Sequence, residues 1–234
     1  MWKTVLNIIF PPHCVQCKKI GNYICDSCFS TISFTSISVC PLCKKGSLKG
    51  ATHLKCKKAY SIDGLISAVT YTRVIRRLIR QYKENPYVSD LKEQIGRLMC
   101  ESFEHNEIFF QLLQKDSIII PVPLSRSTLH KRGYNHSSLL CSYVAQYFSI
   151  QMNDNLLIQT KNLNNLTKNK KDGYSSQYKD IYNIREDLRN EVKGKTILIV
   201  DDIAVTCSTL RQIAYVLKMN GAKEVWGIVF SKKN

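Results

Sequence analysis

The sequence contains no apolar run long enough to span a bilayer, and it is poor in acid: 18 Asp and Glu stand against 34 Lys and Arg, a net charge of +16 over 234 residues. The first absence argues against an integral membrane segment. The second predicts anionic company, whether nucleic acid, nucleotide phosphates or an acidic membrane face, or else a plainly basic surface. No P-loop, no helicase motif and no Cys-His nucleophile pair can be found, which argues against an NTP-driven motor and against cysteine-based hydrolysis. Residues 5–10 resemble the apolar centre of an export signal, but Asn7 interrupts them, Pro11 and Pro12 follow, and no small-residue cleavage site is present. They read instead as a short amphipathic helix. The expected compartment is therefore reducing, where ten cysteines are better explained as metal thiolates than as disulfides.

Seven of those cysteines precede residue 57, six of them as Cys-x-x-Cys pairs: Cys14/Cys17, Cys25/Cys28 and Cys40/Cys43. Such a knuckle puts two sulfurs at adjacent corners of a tetrahedron, and two knuckles complete a structural Zn²⁺ shell. Cys14, Cys17, Cys25 and Cys28 are assigned to one zinc. The third pair has no Cys-x-x-Cys partner downstream, but His53 and Cys56 repeat the spacing. This leaves two readings, a Cys₃His site from Cys40, Cys43, His53 and Cys56 or free reduced thiols. A closed four-ligand shell performs no chemistry, so residues 1–60 form a zinc-ribbon-like module that stabilises a surface, and residues 61–234 form the main domain.

Between 71 and 83 the apolar residues Tyr71, Val74, Ile75, Leu78, Ile79 and Tyr82 follow one helical stripe. The opposite face carries Arg73, Arg76, Arg77, Arg80 and Lys83, whose mutual repulsion an anionic partner would relieve. A nucleic-acid backbone is the candidate, with a solvated face as the alternative. A second amphipathic helix is expected over 91–103, with Leu91, Ile95, Leu98 and Met99 inward.

Beyond residue 116, strands (117–122, 195–200, 225–230) alternate with helices (137–148, 209–219), the pattern of a mostly parallel sheet covered on both faces. In the helix 137–148, Leu139, Leu140, Tyr143, Val144 and Tyr147 are expected inward. The strand at 195–200 runs into Asp201 and Asp202, then a turn containing Thr206, Cys207 and Ser208, then a helix from Thr209. Helix-start N–H groups and hydroxyls can wrap a phosphate, while paired carboxylates can accept bonds from vicinal ribose hydroxyls.

This segment resembles the signature of type I phosphoribosyltransferases, which bind phosphoribosyl pyrophosphate (PRPP) with Mg²⁺. The resemblance implies that Asp201 and Asp202 hold the ribose hydroxyls and act in catalysis, and that Ala204, Val205, Thr206, Cys207, Ser208 and Thr209 cradle the 5′-phosphate. Val205 stands where the signature has a threonine. Cys207 stands where it has a glycine, at a cost if positive φ is required.

The likeness covers nearly the whole chain. Phe10-Pro11-Pro12-His13-Cys14, the stretch 71–83, Pro121-Val122-Pro123-Leu124 and His130-Lys131-Arg132-Gly133-Tyr134-Asn135 are all similar to the ComF family, whose competence members, called ComFC, are implicated in DNA uptake. The family pattern implies a loop from Pro121 facing the pyrophosphate, with Ser125 and Arg126 in contact and Lys131, Arg132 and Asn135 nearby. It also implies a mobile hood over 160–185, with Lys168, Lys170 and Lys171 swinging in. A cytoplasmic protein is expected, or one at the inner face of the inner membrane, with single-stranded DNA and the competence ATPase ComFA as partners. Three functions follow from this reading: a PRPP-binding competence factor, an active phosphoribosyltransferase on an unidentified base or amine, or a zinc-stabilised adaptor with a vestigial pocket.

Overall fold

Ile118 to Ile120 and Ile197 to Val200 are buried along their whole length, as strands covered by helices on both faces must be. The structure is a computed structural model that describes residues 11–34, 38–84, 89–160 and 181–233. The expected helix at 5–10, Phe10 and the hood lysines Lys168, Lys170 and Lys171 lie outside the described residues. In chain order the elements are α1 (Asp26–Phe29), β1 (Gly64–Thr70), α2 (Arg73–Glu84), α3 (Ser89–Glu104), α4 (Glu107–Leu113), β2 (Ser117–Pro121), α5 (Arg126–Arg132), α6 (His136–Phe148), β3 (Gln151–Met152), β4 (Leu157–Gln159), β5 (Tyr182–Ile184), β6 (Thr196–Ala204), α7 (Ser208–Met219) and β7 (Glu224–Lys232).

Five strands pair in the order β1-β7-β6-β2-β3, every pair parallel. Strands β4 and β5 form a separate antiparallel pair; since Ile181, Tyr182 and Ile184 are buried in the core there, the expected hood over 160–185 is corrected at its C-terminal end, and its residues 161–180 lie outside the described residues. One sheet face, with Ile66, Ile119, Leu198, Val200, Ile228 and Phe230, packs against α2, α3, α4 and α6. The other, with Ile118, Ile120, Ile197, Ile199, Val225 and Val229, packs against α7 and the β4–β5 pair.

The cysteine-rich head lies along the outer edge of β1. Ala51 bridges Gly64 and the Thr52 N–H donates to the Asp63 carbonyl at 2.8 Å, so the edge strand is not left open to another chain. Close approach needs Gly50: its φ is +81°, and a Cβ there would lie 2.1 Å from the Leu65 carbonyl oxygen. Val15, Ile24 and Ile32 of the head join the core on the α2 side. Leu42 packs against the core on the α7 side. The head therefore grips the sheet edge from both faces.

Two further expectations are corrected. The strand predicted to stop at Val200 continues to Ala204, because its ladder with β7 runs on to the Ala204–Lys232 pair. Tyr147, expected inward on α6, is 48% exposed; its hydroxyl bonds Glu104 of α3 at 2.7 Å, and the inward positions are taken by Leu140, Cys141, Val144 and Ala145. A tyrosine can satisfy the helical stripe with its ring while keeping its polar tip in water.

Candidate sugar-phosphate site and zinc centres

In a parallel sheet the strand exits converge at one end, and that is where ligands sit. Here β2 exits beside β6, with Pro121 opposite Val200. Asp201 and Asp202 follow at that exit. The Asp201 carboxylate is half-buried and accepts bonds from the Ser137 hydroxyl and the Asp202 N–H, both at 2.9 Å. Burial pushes the Asp201 carboxyl up to about 7, with the neighbouring Asp202 charge adding to it and Lys83 and Ser137 pulling the other way. Asp202 is buried, and Lys83 from the end of α2 reaches it, Nζ to Oδ2 at 2.8 Å.

The turn that follows consists of residues 205–207. Val205 and Thr206 are exposed, while Cys207 is buried and adopts φ 59°, ψ 12°, the left-handed region. The strain anticipated at this position is present. A non-glycine residue there costs about 1–2 kcal/mol, and burial of the thiol offsets part of it. Thr206 Oγ1 accepts from the Ser208 N–H at 3.3 Å and shares a 2.8 Å bond with the Ser208 hydroxyl, so it engages the first N–H of α7, whose N-cap, Cys207, has no side-chain cap bond. Lys232, buried at the end of β7, donates to the Val205 carbonyl at 3.0 Å and also to the Lys233 carbonyl, fixing the turn from behind.

Not every proposed phosphate contact is free for one. Ala204 is a buried strand residue rather than part of the turn. Thr209 is half-buried at the start of α7, and burial pushes the phenol of Tyr182 on β5 up to about 12. Ser125 is buried as the cap of α5, its hydroxyl taking the Thr128 N–H at 3.3 Å and pairing with the Thr128 hydroxyl at 2.8 Å. Arg126, one residue on, is exposed. Asn135 caps α6 and donates to the Val122 carbonyl at 2.9 Å, holding the β2 exit loop in place.

The basic face of α2 divides by direction. Arg76, Arg80 and Lys83 line a groove of about 980 Å³ together with Lys131 and Arg132 of α5 and with Ile203 of β6. Glu84 is the one carboxylate among its lining residues, and it pairs with Arg80 at 2.9 Å. Arg73 is exposed at the first turn of the helix. Arg77 belongs elsewhere: it donates to the Gln16 carbonyl at 3.0 Å and the Gln16 side chain at 2.9 Å, tying α2 to the head.

Three participants escaped the sequence reading. Ser137 reaches Asp201 from 64 residues away, and Lys232 sits at the end of what reads as a plain apolar strand. His136, beside Tyr82 and Tyr134 at ring distances of 5.0 and 4.6 Å, is buried with both ring nitrogens lacking a hydrogen-bond partner. Burial lowers its pKa, with Asp202 pulling the other way. Only the neighbourhood of the Lys131-Arg132-Gly133-Tyr134-Asn135 motif hinted at it.

In the head the two expected ligand sets assemble. The ligand atoms of Cys14, Cys17, Cys25 and Cys28 lie within 4.8 Å of one another, and so do those of Cys40, Cys43, His53 and Cys56. Sulfurs on a tetrahedral Zn²⁺ are about 3.8 Å apart, given Zn–S bonds of about 2.3 Å; Cys17 and Cys25 stand at 3.5 Å, and Cys43 Sγ lies 3.3 Å from His53 Nδ1. The other His53 nitrogen bonds the Gly46 carbonyl at 2.9 Å, the kind of support that fixes which nitrogen faces a metal. Although burial opposes it, backbone N–H groups hold the Cys14 thiol down at about 6. Burial and its neighbouring sulfurs push Cys28 up to about 12. Only a cation can ionise all four together, and both donor sets fit structural zinc. Among the described residues, no helix is long and apolar enough to cross a membrane.

A family model described as a double zinc ribbon domain matches residues 5–59, and one described as a phosphoribosyl transferase domain matches residues 140–234. Competence protein F of Haemophilus influenzae is 27% identical over 233 residues, covering 92% of this chain and 95% of its own. DNA utilization protein YhgH of Escherichia coli K12 is 28% identical, covering 92% and 96%. Competence protein ComFC of Bacillus subtilis is 22% identical, covering 87% and 81%. A solved glutamine PRPP amidotransferase from B. subtilis overlaps 59% of this chain and 26% of its own at 16% identity and a TM-score of 0.39, too loose an overlap to bear on the site.

Proposed function

Because the chain belongs to the ComF family, in which a double zinc ribbon precedes a phosphoribosyl transferase domain, we propose that it is a competence protein that binds PRPP with Mg²⁺ at the turn after β6 and handles single-stranded DNA in the groove beside it. The relatives named for competence and DNA utilization support the role. One observation carries the placement: the Lys83–Asp202 pair at 2.8 Å joins the basic groove to the acid pair.

Asp201 and Asp202 offer hard oxygen acceptors to ribose hydroxyls, and such oxygens also suit Mg²⁺. The start of α7 presents first-turn N–H groups to a 5′-phosphate. Bound Mg²⁺ would supply charge neutralisation for the pyrophosphate. Arg76, Arg80, Lys131 and Arg132 neutralise phosphates in sequence-independent fashion, as handling of arbitrary DNA requires. Lys83 serves both parts: in the free protein it compensates Asp202, and a sugar ligand at that carboxylate releases it toward the groove. ComFA is the expected partner.

The other enzymatic reading, active transfer of the phosphoribosyl group to a base or amine, draws support from Asp201. A carboxyl near 7 can take up and release a proton at neutral pH, as attack by an N–H acceptor requires. Calorimetric titration with PRPP and Mg²⁺ tests the site: binding is expected in the parent and lost in the double variant Asp201→Asn, Asp202→Asn. Pyrophosphate release across a panel of acceptors separates the two readings, and absence of PRPP binding by the zinc-loaded protein rejects both.

A further inference from the structure

A second cleft, of about 630 Å³, opens between the second ligand set, whose Cys43 and Cys56 line it, and α7. Its size lies in the range of small-molecule sites, about 300–1,000 Å³. Tyr60 is 42% exposed and stands edge-on to Tyr215, ring centres 5.5 Å apart and planes at 78°, which gives a rigid aromatic platform. Gln212, only 7% exposed, lines the cleft, and its Oε1 has no hydrogen-bond partner. A buried amide oxygen without a partner is destabilising, a cost that a ligand bringing an N–H would remove. Lys55, Lys58 and Arg211 add positive charge, and no carboxylate is among the lining residues. The nearby acid, Asp63, is already held by Lys57 and Lys218 at 2.8 and 2.7 Å.

A planar face, an N–H on its edge and a negative charge are together the description of a nucleotide. We propose that this cleft binds one nucleotide, its base on the Tyr60 face and turned to the Gln212 amide, its phosphate on Lys55 and Lys58. Aromatic stacking with amide recognition of a base edge is how proteins read unpaired bases. The occupant is either a free nucleotide or one unit of a single strand. The site is distinct from the sugar-phosphate turn, although Ser208 touches both through its 2.8 Å bond to Thr206.

The zinc-loaded full chain should be titrated with the four deoxynucleoside monophosphates, a short oligothymidylate and inorganic phosphate, followed by tyrosine fluorescence and calorimetry. Expected is one-to-one binding of a mononucleotide, unchanged by Asp202→Asn, or of the oligomer once the groove is disabled by Arg76→Glu with Arg80→Glu, in either case weakened about tenfold, or 1.4 kcal/mol, by Gln212→Leu and by Lys58→Glu. Binding of the mononucleotide marks a free nucleotide as the source; binding of the oligomer alone, retained in Arg76→Glu with Arg80→Glu and weakened by Lys58→Glu, marks a strand. Lys58→Glu, at an exposed position, decides the matter if Gln212→Leu does not fold. Phosphate displacing the nucleotide as well as another nucleotide does, insensitivity to both cleft variants, or loss of binding in Asp202→Asn would each overturn the assignment.

Discussion

At the scale of single residues, Cys207 and Asp201 carry the chemistry that distinguishes this turn. Cys207 holds a left-handed conformation that glycine adopts without penalty, yet its sulfur is buried. Cys207→Gly exchanges relief of that strain for lost burial and a looser unfolded chain, so urea unfolding should stay within about 1 kcal/mol of the parent. Cys207→Ala keeps the strain and loses the sulfur, and should cost about 1 kcal/mol. Asp201 gives a pH signature. Its carboxyl is raised from the ordinary 3.8 to about 7, so between these values the folded state holds a proton that the unfolded state releases. Stability from this group falls as pH rises through that window. Affinity for a ligand that needs the carboxylate rises as pH passes 7. Comparison of the parent with Asp201→Asn between pH 4 and 8 should show stability falling up to about pH 7 and affinity rising across 7 in the parent, with both contributions absent from the variant.

At the scale of elements, α2 shows how one helix can serve two purposes. Arg76 and Arg80 face the groove, whereas Arg77 ties the helix to Gln16. Arg76→Glu with Arg80→Glu should weaken oligonucleotide binding and lower its salt slope by about 1.4, at about 0.7 per phosphate contact on a single strand. Arg77→Ala should leave that slope alone and cost about 1.5–3 kcal/mol in thermal unfolding, the range for a charged hydrogen bond. Equal effects of the two changes on DNA binding would reject the groove as the DNA path. Periodicity made α2, α3 and the strand–helix alternation legible in the sequence, since a buried stripe or a buried run is a local property. Knuckle spacing, also local, assigned Cys14, Cys17, Cys25 and Cys28, while Cys40, Cys43, His53 and Cys56 stayed open between a ligand set and free thiols until the structure brought them together. The direction of each arginine was not legible, nor was the inward-facing set of α6, since each depends on a partner dozens of residues away: Gln16 for Arg77, Glu104 for Tyr147, Asp201 for Ser137. The assigned strand end at Val200 failed for a related reason. Asp201 and Asp202 look like a stop signal, but ladder partners on β7 carry the strand past them.

At the scale of the whole molecule, the head and the sheet form one mechanical unit. Zinc removal by a chelator should lower the unfolding temperature of the entire chain rather than melt a separate small transition, because Val15, Ile24, Ile32 and Leu42 belong to the two main cores. Calorimetry on the zinc-loaded and stripped protein checks this; two well-separated transitions would contradict it. The same geometry sets a limit on dissection. A polypeptide starting at residue 61 would present β1 with its outward amides and carbonyls naked, and neighbouring copies would zip together along that margin. The ribbon thus works as a hem: what it keeps apart is one molecule from the next.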